Sequence, residues 1–367
     1  MKKTTISIPA IPGVKTYALE LPVTSLQETV KRDYMTILTE AGKITIPNDL
    51  LKGLNETGST ASISIGIGDK THLGSQANSI IGDSPLIQIS LSVDGKEIYR
   101  TVPSPVTVSI PYTPSAEELK NPEDIVIWAI DQNGNVRVIP NGHYDAPTKT
   151  ITFKTNSFGQ FTVGTIKTTF IDVPASAWYA KAVRFAAARG IASGVGNNRF
   201  DPDVQLTRAQ VLVMIMRAYG IAPDINTSGN FKDAGNTWYT GYLAAAKRLG
   251  ITKGIGNNMF GPDNAITRQE MCALLYNTLK LMGELPEEDT STGSGTTQST
   301  GTAPSTGTND NSLKGFADTN LVAGWAKEAM AALLKSGAIN GSNGKLTPTA
   351  KADRAQMVQI LYNLLSK

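Results

Sequence analysis

The sequence predicts an α+β chain of several domains, an all-β sandwich over residues 1–165 followed by an all-α region. Three observations carry this. Up to about residue 165, apolar and polar residues alternate with period two between turn signals. Beyond residue 170, alanine-rich stretches with helical spacing appear, as in Tyr179, Ala182, Val183 and Ala186. Within that helical region a set of short motifs recurs three times in the same order.

The strands follow in chain order. Ala61 to Ile65 alternates, and so do Ile87, Ile89, Leu91 and Val93, which run into Asp94-Gly95, a tight-hairpin signal. Val106, Val108 and Ile110 alternate before Pro111. Ile125 to Ile130 is a mostly apolar run that places Trp128 in the core, and Asn133-Gly134 turns it into Val136 and Val138. Ile151 with Phe153 and Phe161 with Val163 close the region. About eight short strands with frequent turns suit a sandwich. Ser115 to Leu119, after Pro114, reads as a single helical turn.

The repeated unit opens with Phe170-Ile-Asp172, Phe231-Lys-Asp233 and Phe316-Ala-Asp318. Trp178, Trp238 and Trp325 follow, and then helix ends at Gly190-Ile191, Gly250-Ile251 and Gly337-Ala338. A glycine-containing loop comes next, SGVGNNRFDPD, KGIGNNMFGPD or NGSNGKLTPT, with Phe200, Phe260 and Leu346 as core residues. A second amphipathic helix opens at Thr207-Arg208-Ala209-Gln210, Thr267-Arg268-Gln269-Glu270 or Asp353-Arg354-Ala355-Gln356. The first two units start 61 residues apart and the last two 85, the extra length being Pro286 to Ser312. Its centre, Thr290 to Thr308, holds 12 Ser/Thr and 4 Gly in 19 residues, the composition of a flexible polar linker. The expected domains are therefore the sandwich at 1–165, units at 166–225, 226–285 and 313–367, and a linker at 286–312. Each unit is too small to bury its apolar faces alone, so the three are expected to pack around a shared core.

Composition narrows the function. The chain of 367 residues is 40% hydrophobic and 18% charged, enough for packed cores in two or three domains. No window approaches the roughly 18 apolar residues of a membrane span. A single cysteine, Cys272, excludes an intrachain disulfide, and two histidines, His72 and His143, leave little for zinc or a Ser-His-Asp arrangement. No metal or cofactor is expected. The net charge of +3 is uneven: residues 1–165 hold 14 basic and 16 acidic side chains, and residues 166–367 hold 20 and 15. An anionic partner is thus expected on the C-terminal region, but without the dense basic patch that nucleic acid requires. The carboxylates offer no evident hydrolytic pair: Asp201 and Asp203 flank a proline, Glu117-Glu118 and Glu123-Asp124 read as polar surface, and His143-Tyr144-Asp145 reads as a solvated hairpin loop. An enzyme is not expected. The start, MKKTTISIPAIPGVK, lacks the apolar stretch of a signal peptide, which suggests a fragment of a longer exported precursor.

Together the FxD start, the tryptophan, the Gly-Ile helix end, the GxG loop and the T-R-x-[QE] helix start resemble the S-layer homology family. The resemblance covers residues 170–367, about 54% of the chain. It implies a pseudo-threefold trimer of helix–loop–helix repeats that anchors an exported protein non-covalently to the bacterial cell wall. The ligand it implies is an anionic secondary cell-wall polysaccharide carrying pyruvate ketals, bound in grooves between repeats. Other surface-layer subunits are a further class of partner. The stretch Val106 to Gly164 is similar to β-sandwich modules of surface proteins, so the sandwich is expected to serve as a spacer or display module; a glycan-binding adhesin and the non-catalytic region of a surface glycoside hydrolase are the alternatives.

Thr207 with Gln210 and Thr267 with Glu270 form capping boxes, and Asp353 with Gln356 is a close variant. Arg208, Arg268 and Arg354 each fall at the first helical position, where a cation opposes the helix dipole by about 0.3–1 kcal/mol. Another cause must place them there. One is an ion pair to an acid of the same or a neighbouring repeat. The other is a ligand carboxylate, met by the guanidinium and by free amides of the helix start. Asp172, Asp233 and Asp318 either turn the chain or accept sugar hydroxyls. Trp178, Trp238 and Trp325 either pack in the core or offer a ring to a sugar. Gly194, Gly196, Gly254, Gly256 and Gly341 suit positive φ or close backbone approach, and Ser193 and Lys253 precede two of them. The third unit departs, with Ser342, Asp353 and no Asn-Asn pair, so the first two are expected to dominate ligand contact.

Overall fold

The computed structural model describes residues 2–28, 33–54, 58–71, 73, 75–82, 84–99, 101–131, 133–285 and 311–366. His72 and nearly all of the Ser/Thr-rich linker lie outside these residues. The chain divides into two compact units, one of Met1–Phe170, Ala180–Ser193 and Leu365–Lys367, the other of Ile171–Tyr179 and Gly194–Leu364.

The first unit is built on two sheets. One has six strands in the order β1 (Lys3–Ser7), β3 (Tyr34–Thr39), β4 (Gly42–Pro47), β8 (Val106–Pro111), β12 (Thr150–Thr155) and β11 (His143–Asp145). The other runs β10 (Val136–Ile139), β9 (Ile125–Ile130), β13 (Gly159–Thr165), β6 (Leu86–Val93), β5 (Thr60–Ile67) and β2 (Thr16–Pro22), with β7 (Lys96–Glu97) folded back on β6. Only β1 and β3 pair in parallel among the described strands. Alternation explains the layering. Ile63, Ile65, Ile89, Leu91, Phe161 and Val163 are buried, whereas Ser62, Ser64, Ser90 and Ser92 between them are only partly so. Phe153 and Phe161, from different sheets, meet at 5.0 Å between ring centroids.

Several expectations change here. His143-Tyr144-Asp145 is a strand, not a loop. Trp128 is only half-buried; its ring lies over Gly164 on the next strand, where a Cβ would approach it to 2.1 Å. Glu123 and Asp124 are buried rather than surface residues. This unit also holds helices α1 (Ser75–Ile81) and α2 (Ala180–Ala188), and α2 is the reason. Its Arg184 pairs with Asp124 at 3.1 Å. Arg189, only 4% exposed, donates to the carbonyls of Glu123 (2.7 Å), Ile125 (2.7 Å), Gly142 (2.8 Å) and Phe185 (3.2 Å) and stacks on the Phe185 ring. Burial pushes the Asp124 carboxyl up, and Arg184 opposes that shift. The helical turn expected at Ser115–Leu119 is a short 3-10 segment, Glu118–Lys120, with Glu118 accepting from the Ser115 amide and hydroxyl.

The second unit holds helices α3 (Arg208–Ala218), α4 (Thr240–Arg248), α5 (Arg268–Met282), α6 (Lys327–Lys335) and α7 (Arg354–Leu365). No helix among the described residues is long and apolar enough to cross a membrane.

Candidate functional site

Three backbone bonds lock the repeats in a ring. Leu206 N–H donates to Ala352 C=O (2.9 Å), Ala352 to Ile266 (3.0 Å) and Ile266 to Leu206 (3.0 Å). Each second helix starts beside this ring. Thr207 and Thr267 form reciprocal capping boxes with Gln210 and Glu270, and Asp353 accepts from the Gln356 amide at 2.8 Å. The first two helical amides are used as well. Those of Arg208 and Ala209 donate to Asn264 and Pro262, those of Arg268 and Gln269 to Ala350 and Pro348, and those of Arg354 and Ala355 to Val204 and Pro202. This corrects the expected pocket of free helix-start amides: the neighbouring repeat has already satisfied them.

The arginines continue the same ring. Arg208 of the first repeat donates through Nε to Phe260 C=O (2.8 Å), and Arg354 of the third reaches Phe200 C=O of the first (2.8 Å). Arg268 of the second reaches Asn340 C=O of the third through Nη2 (2.8 Å), while its Nε is buried without a hydrogen bond. Arg208 also pairs with Glu270 of the second repeat at 2.8 Å, so the ion-pair cause applies there. Burial lowers the pKa of Arg208, which Glu270 opposes. Burial would raise that of Glu270, but its bonds from Thr267 and the Arg208 charge hold it below the usual value.

The aspartates act on their own loops. Asp172 accepts from the amides of Phe200 and Asp201, Asp233 from Phe260 and Gly261, and Asp318 from Leu346 and Thr347, at 2.7–3.1 Å. Asp201, Gly261 and Thr347, each the second residue held in this way, have φ of 54°, 70° and 49°. Asn197-Asn198, Asn257-Asn258 and Asn343-Gly344 all take the left-handed turn, so the third repeat replaces the Asn-Asn pair without losing its geometry. Among the expected loop glycines, Gly196, Gly254 and Gly256 have positive φ. Gly341 serves instead for close approach, since a Cβ there would lie 2.1 Å from Phe316.

A crevice of about 800 Å³ brings the repeats together at one place. The first repeat gives Arg208, the second Lys253 and Gly254 from its loop, and the third Trp325. Its wall is one face of α5, with Glu270, Ala273, Leu274, Asn277, Lys280 and Leu281 at helical spacing. Trp325 is 60% exposed and not core, as are Trp178 (63%) and Trp238 (57%). Lys253 is exposed and has no ion pair among the described residues. Tyr276 donates to Glu328 at 2.5 Å, and burial with that carboxylate pushes its hydroxyl up to about 12. Of the residues singled out in sequence, Arg208, Lys253, Gly254 and Trp325 share this crevice; Asp172, Asp233 and Asp318 do not line it, and Ser193 and Gly194 are exposed. Sequence reasoning missed Tyr276, Lys280 and Glu328; the one available signal was their face on α5 or α6. Cys272 is fully buried, its thiol pushed up to about 12 by burial, and takes no role in the crevice. Among the described residues no cluster could hold a metal.

The S-layer homology domain family model matches residues 169–212, 230–272 and 315–358. The amylopullulanase of Thermoanaerobacterium thermosulfurigenes is 27% identical over 281 residues, 76% of this chain and 14% of that protein. Exoglucanase XynX of Acetivibrio thermocellus is 29% identical over 201 residues, 54% and 16% respectively. The S-layer protein sap of Bacillus anthracis is 31% identical over 143 residues, 35% and 17%. The chain spans less than a fifth of the length of these relatives. Such domains indicate anchoring of a surface protein to the cell wall. Behind its β-rich N-terminal region, this chain therefore carries three S-layer homology domains.

Proposed function

We propose that the repeats anchor a larger bacterial surface protein by binding a pyruvylated secondary cell-wall polysaccharide in crevices between them. One observation supports this most: a guanidinium, an unpaired lysine and an exposed tryptophan, each from a different repeat, line one crevice. A pyruvate ketal carries one carboxylate on a sugar ring. Lys253 offers it charge, Arg208 offers a planar donor already oriented by Phe260 and Glu270, and Trp325 offers an apolar ring to the sugar.

The ligand-binding set proposed is Asp172, Trp178, Ser193, Gly194 and Arg208 of the first repeat. It continues with Asp233, Trp238, Lys253, Gly254 and Arg268 of the second, and Asp318, Trp325, Gly341 and Arg354 of the third. The aspartates enter it as residues that shape the loops. The proposed boundaries are those read from sequence, 1–165 for the sandwich and 166–225, 226–285 and 313–367 for the repeats. The likeness to an amylopullulanase and an exoglucanase favours one second reading, that the chain is the non-catalytic region of a surface glycoside hydrolase.

Co-sedimentation of the full chain with purified cell walls tests the site. Lys253→Met and Trp325→Ala are expected to weaken retention about tenfold or more, roughly 1.4 kcal/mol. Retention unchanged in both variants would refute the crevice.

A further inference from the structure

The crevice along α5 gathers charges that the other repeats lack at the same positions. Three residues after the tryptophan of each repeat stands Lys181, Gly241 or Glu328, and two residues after the helix-start arginine stands Gln210, Glu270 or Gln356. Lys253 has Ser193 and Asn340 as its counterparts, and Lys280 has Gly220 and Ser366. Two added cations therefore come with two added anions, and all four line this one crevice.

The two acids are held in different ways. Glu270 is matched by Arg208 at 2.8 Å. Glu328 is exposed on α6 and has no cation within salt-bridge distance among the described residues; it accepts from the hydroxyl of the buried Tyr276 at 2.5 Å. Lys280 lies over the same ring, its Nζ 5.7 Å from the centroid, and it has no ion pair among the described residues. Tyr276 thus fixes a carboxylate beside a free cation, and an anion drawn to Lys280 meets Glu328 as well. Arg208, Lys253 and Lys280 against Glu270 and Glu328 leave one net positive charge. It is spread along a helix face from Glu270 to Lys280, about 15 Å long. Such a lining attracts one anion and disfavours a row of them.

We propose that Glu328 sets the selectivity of this crevice, admitting a wall polysaccharide that is acidic at single, separated sugars and rejecting phosphodiester polymers, which carry an anion on every unit; this rests on the polysaccharide reading given above. A phosphodiester chain long enough to follow α5 brings several charges to one net cation, and the carboxylate held by Tyr276 repels the surplus. A polysaccharide with one ketal brings a single charge for Lys253 and Arg208. Its hydroxyls also donate to the Glu328 carboxylate, which phosphodiester oxygens cannot do.

Equilibrium binding of the full chain, at low salt, to polysaccharide released from native walls and to poly(glycerol phosphate) tests this through the ratio of the two affinities. The parent should prefer the polysaccharide. Glu328→Gln, which keeps an acceptor for Tyr276, should cut that preference about tenfold, and Glu328→Lys should cut it further. A residue that only positioned Trp325, three residues earlier, would change both affinities together and leave the ratio alone. An unchanged ratio in both variants, or a parent that binds poly(glycerol phosphate) as tightly as the polysaccharide, would overturn the proposal. Failure of the polysaccharide reading shows separately, as parent binding that survives removal of pyruvate, and the ratio still decides the role of Glu328.

Discussion

Replacing Asp233 by alanine separates two roles that its sequence position leaves open, fixing a loop or touching a sugar. The Phe260 amide lies 2.8 and 3.1 Å from its two carboxylate oxygens, and the Gly261 amide 2.7 Å from one of them. Hydrogen bonds to a charged group contribute about 1.5–3 kcal/mol each, and Asp233 is half-buried, so the loss should be about 3 kcal/mol. For a unit of roughly 180 residues that is a fall of about 6–12 °C in melting temperature. Differential scanning calorimetry of the full chain would read it. Asp233→Asn keeps one acceptor oxygen and should lose about half as much. Cell-wall retention, measured below the lowered transition, should stay within about threefold of the parent, because the carboxylate does not line the crevice. An unchanged melting temperature combined with abolished retention would refute the reasoning and make Asp233 a ligand contact.

Other perturbations are equally specific. Arg189→Ala leaves four carbonyls without their buried donor and should cost about 3 kcal/mol or more; a loss below about 1 kcal/mol by chemical denaturation would contradict that. Gly254→Ala, at φ +79° with Met259 C=O 2.1 Å from the added Cβ, should destabilise its loop by about 1–3 kcal/mol, and a neutral effect in thermal denaturation would refute the steric argument. Asp172, Asp318 and Glu270 are held below the usual carboxylate range against burial, by backbone amides for the aspartates and by Thr267 and Arg208 for Glu270. Their stabilisation is therefore fully present above the ordinary carboxylate range and is lost as pH falls through their depressed values. Melting temperature should drop over that range, with a shallower drop in Asp172→Asn; equal slopes would count against it.

The anchoring region was legible because repetition turns weak signals into a pattern. A capping box or a lone FxD says little, but three in register gave the helix starts and the loops correctly. What crosses between repeats was not legible. Arg208 reaches Phe260, 52 residues away, and Arg354 reaches Phe200, 154 residues away. Single-sequence reasoning sees the unusual cation at a helix start but not the carbonyl that accounts for it. The same limit hid the occupied helix-start amides, whose acceptors lie in the next repeat. In the sandwich the longer alternating strands are legible, whereas β1 to β4 place Thr at 6 of their 24 positions, which blurs the contrast between apolar and polar faces. Glu123 and Asp124 looked like surface acids because nothing local announces that Arg184 and Arg189 will cover them.

If a ketal carboxylate holds the chain to the wall, as proposed, retention must depend on it. The most direct measurement is equilibrium binding of the full chain to purified cell walls before and after chemical removal of pyruvate, each across a salt titration. Native walls should bind tightly and in a salt-sensitive way, and binding should be at least tenfold weaker with a flatter salt dependence once pyruvate is gone. Equal affinity for both walls, with the same salt slope, would contradict it.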